Sequence, residues 1–360
     1  MARDPTQLNT ANWPLDLYNG FRKWLVLIPL VLLPILFVVN APFGRFMVSA
    51  SPIGFFNWKF LHVDGIKSWI FMETVSPLTF IYAFLISPLT FYTPPTPDWT
   101  SPQMLLAMCF MLHYLNRAFI SPLRTPSRSK QHVVITLVAV MFNISNGYLM
   151  GTYFSSPLAR IYLGDTYVYS RPSFWIGITL FFAGFAGNVI HDEILLDIRR
   201  KAIQRKQRGG EEKEEAEKKQ TKIQAPSKPA YEGSKEYYGI PQGLLYTYIS
   251  FPNYFCEWVE WFGFALASAP PPIELSFSSS SEFFSSLFQA VTSLFDWETL
   301  KYNIAGPTRG FAPTLYAPWI FLIAEVAVMF PRAYKGHLWY KEHFGERYPK
   351  NRKAVIPFVI

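Results

Sequence analysis

Apolar residues along this chain are gathered into long, nearly continuous runs that polar segments separate. A transmembrane helix needs about 20 mostly apolar residues, whereas a soluble helix shows only an apolar stripe on one face. The runs here have the length of membrane spans, so the pattern predicts an all-α, polytopic integral membrane protein. About seven transmembrane helices are predicted, over residues 24–40, 68–87, 103–122, 132–154, 173–197, 243–268 and 314–335.

The segments outside these runs define the remaining organisation of the chain. The stretch 283–296 is too short and too rich in serine to span a bilayer, and we interpret it as an interfacial amphipathic helix. A segment dense in Lys, Glu and Gln cannot bury enough apolar surface to fold alone. The predicted units are a polar N-terminal segment 1–23, spans one to five in 24–200, a charged flexible cytosolic insertion 201–236, and a C-terminal region 237–360 with the last two spans and a lumenal insertion 269–313.

Composition and charge support a membrane location and argue against nucleic acid as a partner. Only 16% of residues are charged, whereas soluble domains carry about 25%. The net charge is +8, but the basic residues do not form one stripe. They alternate between Lys/Arg-rich and Lys/Arg-poor loops, and the rich loops of a membrane protein face the cytosol. The N-terminus is therefore predicted to be lumenal and the C-terminus cytosolic.

Cysteine and histidine usage predicts no metal centre. Cys109 and Cys256 both lie in apolar runs, so we expect free thiols that pack as small apolar groups. His191 and Asp192 are adjacent, and adjacent residues on a helix point in different directions. The chain has no HExxH motif, no Walker loop and no GxGxxG after a strand, so a nucleotide would have to bind without a Rossmann fold.

Polar residues recur at helical spacing inside several predicted spans. Ionisable groups at membrane depth are costly, so they usually face a bundle interior and serve a function. The alternative is that they simply hydrogen-bond one helix to another. We expect His113 and His191 to pack or hydrogen-bond, and Glu260 and Trp261 to pack. The stripes that could converge on one cavity are Asn188, Asp192 and Arg199; Asn253, Glu257 and Glu260; and His113, Tyr114 and Arg117, with Glu73 alone on the second span.

Several sequence blocks resemble the steroid 5-alpha-reductase (3-oxo-5-alpha-steroid 4-dehydrogenase) family. The blocks NVIHDEILLDIRR, PNYFCEWVEW and RYPKNRKAVIPF carry the similarity most strongly, within 173–268 and 314–360. A weaker similarity over 68–154 rests on WIFMETVSP, LHYLNRAF and NGYLMGTYF. The resemblance implies a multi-pass enzyme of the endoplasmic reticulum membrane that uses NADPH to reduce the 4,5 double bond of a 3-oxo-4-ene steroid.

The same resemblance implies roles for individual residues. Glu73 and Tyr114 would contact the C3 ketone oxygen of the substrate, and Glu257 would line the pocket. The positions that match the family's NADPH contacts are Arg117, Arg128, Asn188, Asp192, Arg199, Tyr238, Asn253, Arg332, His337 and Tyr340.

These residue types suit the implied chemistry. Hydride addition to the carbon beta to a ketone places negative charge on the ketone oxygen, and a donor aimed at that oxygen lowers the barrier. A tyrosine hydroxyl can donate, and so can a glutamic acid that an apolar cavity keeps protonated. Arginine forks suit the NADPH phosphates. The expected partners are the bilayer and a steroid or other lipid substrate. Alternatives are a reductase of very-long-chain 2-enoyl thioesters or polyprenol, a membrane methyltransferase, and a transporter, for which no inverted repeats are detected.

Overall fold

The computed structural model describes residues 13–39, 61–90, 94–217, 238–273, 279–294 and 296–360. The structure is 76% helical with almost no strand, as the apolar pattern predicts. The helices are α1 (Trp13–Val38), α2 (Gly65–Ile86), α3 (Pro102–Leu115), α4 (Ser121–Arg124), α5 (Val133–Ser155), α6 (Pro157–Tyr162), α7 (Asp165–Val168), α8 (Pro172–Glu217), α9 (Pro252–Ser268), α10 (Ser280–Leu294), α11 (Trp297–Ala305) and α12 (Ala317–Phe344). A π-helical turn (Asn116–Ile120) joins α3 to α4, and 3₁₀ turns cover Leu244–Thr247, Thr308–Gly310 and Gly345–Arg347.

Six of the described helical segments are long and apolar enough to cross a bilayer. This confirms the prediction of an all-α polytopic membrane protein. A two-stranded antiparallel ladder, β1 (His62–Val63) with β2 (Gln131–His132), joins the segments that precede α2 and α5. The six segments are Trp13–Val38, Gly65–Ile86, Pro102–Arg124, Val133–Ser155, Pro172–Arg205 and Ala317–Arg347.

The predicted span 243–268 is shorter in the structure than in the sequence pattern. Its helix, α9, has 17 residues and begins at Pro252. The preceding residues are held by the C-terminal tail, because the backbone N–H groups of Ser250 and Phe251 donate to the carbonyl of Ala354 at 3.1 and 3.0 Å. The apolar residues before Pro252 therefore pack as a docked loop and do not extend the helix.

The N-terminal boundary also differs from the prediction, since α1 begins at Trp13, inside the segment assigned as polar and non-spanning. Two buried cations at this end of the helix bond to the loop before α12. The Arg22 guanidinium donates to the carbonyls of Ala312 and Leu315 at 2.6 and 3.0 Å, and the Lys23 ammonium donates to the carbonyl of Gly306 at 2.8 Å. Partners for these charges allow a polar sequence to remain helical and buried.

Helix α8 continues past the predicted boundary at residue 200 and ends at Glu217. Residues 201–217 are therefore helical, where the sequence analysis places the start of a charged insertion. They are mostly Lys, Arg, Glu, Gln and Ala, which have high helix propensity. Lys201 also pairs with Asp197 one turn earlier, at 2.6 Å. The rest of the predicted insertion, from 218 to 236, lies outside the described residues.

Close contacts at glycines bring two helix pairs together. A Cβ on Gly147 of α5 would lie 2.2 Å from the carbonyl oxygen of Ser76 on α2. A Cβ on Gly184 of α8 would lie 2.4 Å from the backbone nitrogen of Glu260 on α9. Small residues of this kind let membrane helices approach until their polar side chains can meet. Both pairs contribute residues to the polar site described below.

Two further expectations concern the cysteines and the predicted amphipathic helix. Cys109 and Cys256 are free and buried, as expected. A helix is present at Ser280–Leu294, close to the predicted 283–296, and its position at the membrane interface stays a prediction.

Candidate active site

Arg117 occupies the centre of a buried polar cluster between three helices. Its Nε donates to Glu73 Oε2 on α2 at 3.2 Å, and its Nη1 donates to Glu257 Oε1 on α9 at 2.5 Å. Both carboxylates are buried, with 6% and 3% of their surface exposed. A charge in this setting is tolerated only when it is paired and hydrogen-bonded, so Arg117 stabilises the two carboxylates at their positions.

A π-helical turn gives Arg117 its place in the cluster. The turn covers Asn116–Ile120, and the Ser121 N–H donates to the carbonyl of Asn116, five residues earlier. Pro122 follows immediately; a proline has no N–H and its ring crowds the preceding turn. The indole N–H of Trp69 donates to the carbonyl of Arg117 at 3.1 Å. Single π turns inside α-helices are frequent at functional sites.

His113 and Glu260 belong to two of the predicted polar stripes, and they extend the cluster around Arg117. His113 Nδ1 lies 2.7 Å from Glu260 Oε1, and His113 Nε2 lies 3.9 Å from Glu257 Oε1. The histidine therefore hydrogen-bonds, as expected. The expectation that Glu260 merely packs is wrong, because a fully buried carboxyl needs a hydrogen-bonding partner and His113 provides one.

Tyr114 follows His113 on α3, and a side chain of α5 holds its hydroxyl in place. Asn146 Nδ2 donates to the Tyr114 hydroxyl oxygen at 2.8 Å and to Ser76 Oγ at 3.2 Å. All three residues are buried, and Tyr114 interacts electrostatically with Glu73 and Arg117. The two predicted catalytic residues, from α2 and α3, therefore share one interior region.

Asp192 and Asn253 form a second polar pair that adjoins Arg117. Asn253 Nδ2 donates to Asp192 Oδ1 at 2.9 Å, and Asp192 interacts electrostatically with Glu257, Arg117 and Arg199. Asn253 Oδ1 is buried and has no hydrogen-bond partner among the described residues. The polar stripes predicted on the spans of α3, α8 and α9 thus converge.

The other predicted cofactor contacts are spread over several elements. His337 Nδ1 and Ser250 Oγ are 2.6 Å apart, and the same hydroxyl lies 2.6 Å from the hydroxyl of Tyr348. Tyr340 stacks on Tyr348 with ring centroids 5.5 Å apart. These contacts place His337 and Tyr340 where the tail docks on α12. The remaining predicted positions are Tyr238, edge-on to Trp339 at 5.2 Å; Arg128, whose guanidinium lies 3.6 Å from the Trp69 ring centroid; the half-buried Arg199 and Arg332; and the buried Asn188, one turn before Asp192.

Two members of the site were not assigned a role from the sequence. Glu325 on α12 is buried, interacts electrostatically with Glu257 and Glu260, and has an Oε2 without a hydrogen-bond partner among the described residues. Asn146 orients Tyr114. The available signal in each case was a lone polar residue in an apolar span, which marks a site only when its neighbours are known.

Comparison with known proteins identifies one family model and several relatives. The family model described as 3-oxo-5-alpha-steroid 4-dehydrogenase matches residues 129–208, 228–303 and 310–360. The uncharacterized protein C9.08c of Schizosaccharomyces pombe is 32% identical over 71% of this chain and 68% of its own length. The steroid 5-alpha-reductase DET2 of Solanum lycopersicum is 28% identical over 73% and 72%. The 3-oxo-5-alpha-steroid 4-dehydrogenase 1 of Bos taurus is 28% identical over 72% and 69%. This chain belongs to the 3-oxo-5-alpha-steroid 4-dehydrogenase family, whose members are oxidoreductases that act on CH–CH groups.

Proposed function

We propose that this protein uses NADPH to reduce the 4,5 double bond of a 3-oxo-4-ene steroid to the 5-alpha-reduced 3-oxo steroid. The observation that carries the proposal is the meeting of Glu73, Tyr114 and Arg117 with the Asp192–Asn253 pair inside one bundle. These residues come from separate spans, and each is costly to bury without a function.

The Asp192–Asn253 pair fits a nicotinamide nucleotide. The unpartnered Oδ1 of Asn253 can accept a hydrogen bond from an amide or a ribose hydroxyl. Asp192 fixes the orientation of that side chain, and Arg199 and Arg332 supply positive charge for phosphates. When bound, NADPH supplies the hydride that adds to the beta carbon of the substrate. Arg117 is already engaged by two carboxylates, so it fixes Glu73 and Glu257 in place and provides a positive field beside the cofactor.

Tyr114 provides the hydrogen-bond donor for the ketone oxygen. Its own oxygen accepts from Asn146, and the hydroxyl also hydrogen-bonds with Ser76, so the phenol is fixed before the substrate arrives. In the substrate complex the ketone oxygen accepts the phenol proton. A donor held in advance stabilises the oxyanion without reorganisation during the reaction.

Glu73 has a more restricted role than the sequence suggests. In its ion pair with Arg117 it is an acceptor. It joins Tyr114 as a donor only when it carries a proton. The Glu73→Gln variant separates the two roles, because glutamine keeps an N–H donor and the side-chain shape but loses the carboxylate.

The location proposed for the enzyme is the endoplasmic reticulum membrane, with a lumenal N-terminus and a cytosolic C-terminus. Helix α8 leads from Asp192 through Arg199 into the Lys/Arg-rich residues 200–208. Positive residues flanking a span favour the cytosolic side, so cytosolic NADPH reaches the Asp192–Asn253 pair while the lipid substrate enters from the bilayer.

The test is NADPH oxidation by the purified full-length protein in nanodiscs, with a 3-oxo-4-ene steroid, a very-long-chain 2-enoyl thioester and polyprenol assayed in parallel. We expect turnover of the steroid and formation of its 5-alpha product. Turnover of the thioester or polyprenol alone would overturn the substrate assignment, and no NADPH oxidation with any of them would overturn the activity.

The same assay on two variants and a control tests the roles assigned to Tyr114 and Glu73. Tyr114→Phe should lower kcat by about 10²–10³-fold. Glu73→Gln should retain most activity if Glu73 donates, and lose it if the carboxylate is required. Asp16→Asn is the matched control, because Asp16 forms an exposed ion pair with Arg309 of the loop before α12 and is distant in sequence from every site residue. Unchanged kcat in Tyr114→Phe would contradict the mechanism.

A further inference from the structure

The cluster around Arg117 contains more carboxyl groups than cations. Within the part of the chain that the structure describes, four glutamates, Glu73, Glu257, Glu260 and Glu325, share the buried region around Arg117. Of these four, Glu73 and Glu257 contact its guanidinium. Each additional buried charge costs several kcal/mol, so the cluster is stable only if it also holds protons. Among the described residues, no arginine or lysine contacts the carboxyl groups of Glu260 and Glu325. These two carboxyl groups are therefore the sites that hold the protons.

We propose that Glu260 and His113 form a proton relay that recharges Glu257, and that Glu257 protonates the alpha carbon of the substrate. This inference rests on the proposed function, because each reduction consumes one hydride and one proton. Tyr114 stabilises the ketone oxygen, and the proton for the alpha carbon comes from the opposite face of the Arg117 cluster.

The geometry of His113 supports a relay. Its two ring nitrogens face two carboxyl groups on α9, Nδ1 at 2.7 Å from Glu260 Oε1 and Nε2 at 3.9 Å from Glu257 Oε1. The two glutamates are three residues apart, so they lie on one face of the helix. The 3.9 Å separation is longer than a hydrogen bond, so a side chain must rotate before the second transfer.

Proton transfer through this ring balances without any other reactant. The O–H bond of protonated Glu260 breaks as an N–H bond forms at Nδ1. The N–H bond at Nε2 breaks as an O–H bond forms on Glu257. The imidazole stays neutral and changes tautomer in this transfer, and no electrons move. Protonated Glu257 gives its proton to the alpha carbon and returns to its ion pair with Arg117. A solvent proton taken up at Nε2 of His113 then drives the Nδ1 proton back to Glu260, which restores both the acid and the first tautomer.

Aromatic packing surrounds the histidine of the relay. The Trp261 ring packs edge-on against His113 with centroids 4.6 Å apart, and Trp261 is fully buried. Glu260 Oε2 is also buried without a hydrogen-bond partner among the described residues. The titratable or charged groups that face the relay from other helices are Glu73, Asp192 and Glu325. Cys109, Cys256 and Arg117 face it from α3, α9 and the π turn that follows α3.

The kinetic test compares wild type with Glu260→Gln in nanodiscs. Glutamine keeps the size and a hydrogen bond to His113 but cannot release a proton. We expect kcat to fall about tenfold or more, with KM for steroid and NADPH within about twofold. We also expect a larger solvent deuterium effect and a smaller effect of deuterated NADPH, because proton delivery becomes limiting. A folded Glu260→Gln protein with wild-type kcat and isotope effects would overturn the relay.

A measurement on wild type keeps the proposal testable if the variant does not fold. Infrared spectra need no substrate. They should contain a carboxylic acid C=O band that shifts in D₂O and disappears in Glu260→Gln. Absence of any such band in wild type would overturn the proposal even if steroid reduction is confirmed, whereas its presence without NADPH oxidation would overturn only the proposed activity.

Discussion

The guanidinium of Arg117 lies 3.2 Å from the carboxylate of Glu73, so the residue expected to donate to a ketone is held as an acceptor in an ion pair. The sequence placed both residues in the site but did not show that they are partners. Their pairing makes Arg117 the common support of Glu73 and Glu257, and it makes the stability of the site depend on charge balance.

Removing the Arg117 charge should therefore destabilise the protein through the carboxylates left behind. Arg117→Met leaves Glu73 and Glu257 buried without a cation, and breaking a buried pair in this way costs about 3 kcal/mol. We expect a lower Tm in nanodiscs for Arg117→Met. Adding Glu73→Gln and Glu257→Gln to that variant should restore much of the loss, because the uncompensated charges are then gone.

The control for this series is Glu193→Gln, which disrupts the half-exposed pairs of Glu193 with Arg124 and Arg200. Pairs open to solvent contribute about 0–1 kcal/mol, so its Tm should stay close to wild type. If the triple variant is less stable than Arg117→Met alone, the charge-balance explanation is wrong.

Because Asn146 donates a hydrogen bond to Tyr114, its loss should lower kcat by more than the loss of fold stability alone would explain. Asn146→Ala should lower kcat by about 10- to 100-fold, because a small misplacement of a catalytic donor is costly. KM should change little. Activity with deuterated NADPH would show whether the chemical step has become slower.

Asn143 offers a matched comparison on the same helix. Asn143 Nδ2 donates to the carbonyl of Met72 at 2.8 Å, so Asn143→Ala also removes a buried hydrogen bond between α5 and α2. Both variants should lose about 1–2 kcal/mol of stability, but only Asn146→Ala should lose kcat. Equal loss of kcat in the two variants would mean that helix packing, and not the position of Tyr114, limits the rate.

The parts of this site that the sequence predicts are those that depend on helical spacing within one span. The spacing of Asn188, Asp192 and Arg199 identifies one polar face, and the structure brings that face to Asn253. Burial cost alone was a sufficient argument, because polar residues in an apolar run must face inward.

The features of the site that the sequence does not predict depend on contacts between spans and on departures from regular helix geometry. The π turn at Asn116–Ile120 changes the direction of Arg117 and cannot be derived from 3.6-residue spacing. The His113–Glu260 pair joins residues 147 positions apart. The helical start of α1 depends on carbonyls that accept from Arg22 and Lys23, and the loop that supplies them is distant in sequence.

The close approach of α8 and α9 leads to a further expectation. In Gly184→Ala the new Cβ would lie 2.4 Å from the nitrogen of Glu260 and 2.5 Å from the carbonyl of Cys256. Backbone atoms cannot move aside as a flexible side chain can, so the helices must separate. Overpacking of this kind costs about 1–3 kcal/mol. The affinity for NADPH, measured by fluorescence titration, should fall as well, because the Asp192–Asn253 pair joins the same two helices.

Gly20→Ala is the control for this substitution, since a Cβ at Gly20 would have no atom within 4 Å. A helical glycine replaced by alanine in open space should gain up to about 1 kcal/mol. Wild-type NADPH affinity in a Gly184→Ala protein of reduced Tm would show that the spacing of α8 and α9 does not govern the cofactor site.

Tyr348 gives the docked C-terminal tail a dependence on alkaline pH. Burial raises the pKa of its phenol, while hydrogen bonds with Ser250 and Arg352 oppose the shift. A raised pKa in the folded state means that the neutral phenol is favoured there, so its contribution to stability is complete below about pH 10 and is lost as the pH rises above it. Tyr348→Phe cannot ionise. Its Tm should be lower than that of wild type at pH 8, because a buried hydrogen bond is missing, and the difference should shrink toward pH 11. Other groups that titrate in this range are common to both proteins and cancel in the comparison, so two Tm curves that stay parallel from pH 8 to pH 11 would contradict this role of Tyr348.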